Sequence, residues 1–93
     1  MPSLTAKLLG QTWTIVFTRL RGKNNGYCYD PAQRRILIHE RLRPKKELEV
    51  TLHEALHAVD WHKDESWVEG VAGELADLLW RLGYRRDKDQ SEI

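Results

Sequence analysis

Two periodicities divide this chain. From Gln11 to Leu20, Trp13, Ile15 and Phe17 alternate with Thr12 and Thr14. Successive side chains of a strand point to opposite faces, so the run predicts a half-buried strand. Arg34–Glu40 repeats the pattern with Ile36 and Ile38 on one face and predicts a second strand. Between them, Asn24, Asn25 and Gly26 tolerate positive φ and predict a turn, and Asp30-Pro31 marks another break. The first ten residues show no dominant period.

After Pro44 the apolar spacing lengthens to that of a helix. Leu48, Leu52, Ala55, Leu56 and Val59 form a stripe over Pro44–Trp61, and Pro44 suits a first helical turn. The polar stretch "HKDES" interrupts it. Val68, Val71, Ala72, Leu75, Leu79 and Leu82 then predict a second helix that stops at Gly83. The order strand, strand, helix, helix predicts an α+β domain: a small antiparallel or mixed sheet followed by two packed helices. Its core is expected over residues 11–84, with 85–93 a charged, fraying tail.

At 93 residues the chain has room for one small core. Its formal net charge of +1 offers no field to recruit nucleic acid or an anionic membrane, so neither is expected as a partner. Arg34-Arg35, Lys45-Lys46 and Arg85-Arg86 read as solvated clusters. The single cysteine, Cys28, excludes an internal disulfide and reads as a small buried residue. The N-terminal stretch lacks the charged segment and long apolar run of a secretion signal, and no apolar run reaches membrane-spanning length. A cytoplasmic location is the expectation.

The chemistry is concentrated in "EVTLHEALHAVDWHKDESWVEGVAGEL". On a helix, His53 and His57 lie one above the other and can point two imidazoles at one metal ion. Glu54 sits about 100° further round, where a general base for metal-activated water belongs. Zinc with an open position needs a third protein ligand. Glu69 is the first choice, on the flank of the second stripe, with Gly73 allowing the helices to approach. Glu65 and His62 are the alternatives. "SWVE" also reads as a capping box, with Ser66 the N-cap and Glu69 reaching back to it. Glu74 and Asp77 suit outer partners of the imidazoles.

The combination of "HEALH" on one helix and a glutamate on the next resembles the gluzincin type of zincin metallopeptidase. It is similar to small phage- and prophage-type zincin-like proteins and to the peptidase domain of the ImmA/IrrE family. The resemblance covers Trp13–Tyr84. It implies a minimal zincin fold, Zn2+ at His53, His57 and Glu69, Glu54 as general base, and a peptide or protein substrate pairing with an edge strand, for which "RRILIHE" is the candidate. A non-catalytic zincin-like module that binds metal and a protein partner is the alternative. His39, Tyr27, Tyr29 and Tyr84 are candidates for stabilising an oxyanion. A cluster of Trp13, Trp61, Trp67 and Trp80 at the helix junction would wall the site. The sequence sets no oligomeric state.

Overall fold

The computed structural model describes residues 2–86. Four strands and two helices follow one another: β1 (Ser3–Leu8), β2 (Gln11–Thr18), β3 (Gly26–Cys28), β4 (Arg35–His39), α1 (Pro44–Val59) and α2 (Glu65–Arg81). The strands form one sheet in the order β1-β2-β4-β3. β1 runs antiparallel to β2, β2 parallel to β4, and β3 antiparallel to β4. The expected α+β architecture is therefore present, with a mixed sheet ahead of the two helices.

Both alternating runs bury the side chains their period selects. Pairing of β2 with β4 sets Ile15 against Ile36 and Phe17 against Ile38. Trp13, Ile15, Phe17, Ile36 and Ile38 are all buried on that face. Each such side chain contributes roughly 1.5–3 kcal/mol on leaving water.

Two strands are additions to the sequence reading. β1 folds back on β2 through Leu9 and Gly10, at φ 50° and 78°. This is a two-residue turn with both centres left-handed, a twist that suits a tight hairpin and strains the leucine. Leu4, Ala6 and Leu8 of β1 then pack against the core. β3 starts at Gly26, the last residue of the expected turn, and it covers the outer side of β4. The "RRILIHE" strand is consequently interior, between β2 and β3, and the expectation that it is the substrate-pairing edge is corrected. β3 is the edge nearest α1.

α1 lies over β3 and β4 and barely reaches β1. An apolar cavity of about 490 Å³ remains beside it, lined by Leu4, Leu8, Phe17, Leu48 and Trp80 among others. At its border Glu47, only 4% exposed, takes two hydrogen bonds from Arg86: Nε to Oε1 at 2.8 Å and Nη2 to Oε2 at 2.9 Å. The paired fork explains a buried carboxylate on the apolar side of the helix. The Arg86 guanidinium also sits 4.0 Å over the Phe17 ring, and that of Arg85 lies 3.2 Å over Trp80. The first two residues of the expected tail thus pack on the domain; residues 87–93 lie outside the described residues.

α2 packs on α1 alone, through Val68, Ala72 and Ala76, each at most 1% exposed. The small side chains of Ala72 and Ala76 bring the helices together. Gly73 is not the device: a Cβ there meets Glu49 Oε2 at 3.9 Å, an ordinary contact. The N-cap of α2 is Asp64, whose carboxylate accepts from the Trp67 N–H and from the Ser66 hydroxyl, so the Ser66 capping box does not form. Among the described residues no helix is long and apolar enough to cross a membrane.

Candidate metal centre

α1 and α2 are joined by only five residues, Asp60–Asp64, so the start of α2 turns back beside the end of α1. Lys45 reaches Asp77 at 3.2 Å in the same antiparallel register that sets His57 beside Glu65. The apolar contact stripe of α2 is Val68, Ala72 and Ala76, and three residues before Val68 stands Glu65. A glutamate therefore occupies the position where that stripe meets the two histidines.

The three side chains converge. His53 Nε2 lies 2.8 Å from Glu65 Oε1, and His57 Nε2 lies 2.9 Å from Glu65 Oε2. The two Nε2 atoms approach each other to 3.2 Å. Among the described residues, His53, His57 and Glu65 alone bring three metal-capable donor atoms within 4.8 Å of one another. The imidazoles are largely buried, with side chains 23% and 17% exposed, and Glu65 faces solvent.

The donor set fits zinc in both chemistry and span. Two imidazole nitrogens and a carboxylate are zinc ligands of the catalytic type. Zn–N bonds of about 2.0–2.1 Å at tetrahedral angles separate two nitrogens by roughly 3.3 Å, and the Nε2 atoms here already stand at nearly that separation. Two neutral imidazoles and one carboxylate also leave a divalent cation one net positive charge and an open side toward solvent.

Glu69, the expected third ligand, is elsewhere. It is one turn past Glu65, about 6 Å further along the same side of α2. It lines a neighbouring cavity with Lys46, Glu49, Val50, His53 and Glu54 and is not in the donor cluster. Glu65, the alternative, takes that place, and His62 is exposed and outside it.

Glu54 borders the same cleft of about 490 Å³ as His53, His57 and Glu65. Its affinity for a proton is raised chiefly by burial, opposed by His53 and reinforced by Glu65. Its position depends on Gly26 of β3. A Cβ built on Gly26 would stand 2.6 Å from Val50 Cγ1 and 3.1 Å from Glu54 Oε2. Only a residue without a side chain lets this strand lie so close to α1. Gly26→Ala is expected to lower stability by about 1–3 kcal/mol, because the branched Val50 cannot yield. Thermal unfolding checks this, and an unchanged melting temperature would show that β3 shifts freely.

Other expectations sort by place. Tyr27 lines the cleft, with Tyr29 packed edge-on against it. Tyr84 borders the apolar cavity on the far side, and His39 Nδ1 accepts the Arg41 N–H beyond β4. Of the tryptophans only Trp61 walls the cleft, and Trp13 is core. Lys63, not singled out in the sequence, also lines the cleft and lies 4.6 Å over Trp67. Cys28 is buried as expected. Burial first, and the Glu54 charge second, push its thiol up to about 12, so it stays protonated and is no ligand at neutral pH.

Comparison with models of known families, with curated proteins and with solved structures gives no match.

Proposed function

We propose that this protein is a zinc-dependent peptidase or peptidase-like hydrolase of minimal zincin form. The observation that carries the reading is the convergence of His53, His57 and Glu65 beside a half-buried glutamate and a sheet edge. His53, His57 and Glu65 hold the ion. When bound, zinc supplies a Lewis acid that polarises a carbonyl and acidifies water. Glu54 takes the proton from the attacking water and returns it to the leaving amine. Its burial keeps competing water away, and Gly26 holds the β3 backbone against it. The substrate is an extended peptide added to β3, whose outer side pairs with no strand of the sheet. Tyr27 and Trp61 flank that path and contact the substrate's side chains. The lone protonated cysteine is consistent with a cytoplasmic setting.

Elemental analysis of purified protein tests the reading at its base. About one zinc per chain is expected. Zinc at a hundredfold excess over its dissociation constant adds about 2.7 kcal/mol, so a chelator should lower the melting temperature by about 10 °C or more. Protein that takes up no zinc when it is supplied would remove the reading.

A further inference from the structure

The arc of α2 that adjoins its contact with α1 on one side carries Val71, Leu75, Leu78 and Leu82. Their spacing of four, three and four residues places them in one row. Leu75 is 38% exposed, Leu78 51% and Leu82 65%. Scattered exposed leucines need no explanation. A continuous aliphatic row does, on a helix whose packing against α1 is already met by Val68, Ala72 and Ala76.

We propose that this row is a self-complementary interface, on which a second copy of the chain docks with the two α2 helices antiparallel. Reversing the helix sets Val71 against the partner's Leu82 and Leu75 against the partner's Leu78, so the row matches itself about a two-fold axis. Charge obeys the same operation. Glu74 and Arg81 flank the row on its solvent side, two turns apart. The antiparallel register brings Glu74 opposite the partner's Arg81, and the contact occurs twice. A parallel pairing in register creates no such pair. Arg81 is free to turn: its present contact with Asp77 is 3.5 Å long and its side chain is 76% exposed. Glu65 lies well round the helix from the row, so the cleft stays open in the dimer. One helix per copy is less than the roughly 800 Å² per partner of a standard interface. The dimer is therefore weak and concentration-dependent.

Sedimentation equilibrium from micromolar to near-millimolar protein tests this. The expected mass rises toward twice that of the chain with concentration, and Leu78→Glu stays monomeric throughout. Glu74→Arg and Arg81→Glu each weaken dimerisation at least about threefold, the effect of losing two exposed ion pairs. The double variant Glu74→Arg with Arg81→Glu restores it. All three substituted positions are at the surface, and circular dichroism confirms that each variant is folded. If Leu78→Glu does not fold, the charge-reversal set decides alone. A wild-type monomer at every concentration, or a dimer that survives Leu78→Glu, overturns the interface. Failure of the double reversal to restore dimerisation overturns the antiparallel register.

Discussion

Replacing Glu54 with glutamine is expected to lower the turnover of any peptide the wild type cleaves by roughly 10²–10⁴-fold, with zinc retained. Glutamine keeps the size and much of the hydrogen bonding of the carboxylate but cannot accept the proton. The proposed ligands His53, His57 and Glu65 are untouched, so metal content should not change. Stability should move the other way from activity. In the metal-free protein, burial is the main cause that raises the proton affinity of Glu54, with His53 opposing and Glu65 adding. A carboxyl group whose folded pKa is raised contributes stability at low pH, which is lost as pH rises through that pKa. At neutral pH the wild type thus keeps a half-dry charge, and glutamine removes it. Metal-free Glu54→Gln should melt no lower than metal-free wild type at pH 7. Turnover at the wild-type rate would end the general-base role. Loss of zinc together with activity would show instead that Glu54 shapes the metal site.

The parts of the fold that were legible are those whose period runs long enough to repeat. β2 and β4 bury what their spacing selects, whereas the stripe expected of α1 is only half-buried, with Val59 exposed, and the buried residues of that helix are Glu47 and Val50. β1 carries the same alternation in Leu4, Ala6 and Leu8, but its residues are weak strand formers, and its Leu9-Gly10 turn lacks the asparagine–glycine signal of a tight hairpin. β3 has three residues and an exposed Tyr27 at its centre. It is a strand because β4 offers it an edge, a tertiary cause that no local pattern carries. In α2 the apolar residues cover two adjoining stripes, and spacing alone does not choose between them. The structure gives α1 the arc of Val68, Ala72 and Ala76, where small side chains permit close packing, and leaves the leucine-rich arc outside.

That choice of arc also decides the metal site. The sequence places His53, Glu54 and His57 by their spacing on one helix, which no tertiary arrangement can alter. The third ligand depends on how α2 is registered against α1. With the arc of Val68, Ala72 and Ala76 facing α1, its extension toward the N-terminus is Glu65, level with His57, whereas Glu69 stands one turn further along, beside Glu49 and Val50. Glu65 precedes the first apolar residue of the helix and so shows no periodicity of its own; the spacing of small residues behind it is the signal that would have found it.

Glu65→Gln is accordingly expected to weaken zinc affinity by on the order of 100-fold or more, since even an outer partner of a ligand is worth about 10–100-fold. Glu69→Gln should change it by less than about threefold, as its carboxylate lies in the next cavity and acts on the ion only through solvent-screened charge. Competition of each protein with a fluorescent zinc chelator measures both. The contrast is informative because the two residues share one helix, one charge and one substitution, and differ by one turn along that helix. Affinity should also fall in acid, because an imidazole must be neutral to bind a metal ion. A loss of zinc in Glu69→Gln with Glu65→Gln unaffected would reverse the assignment and shift α2 by about one turn along α1.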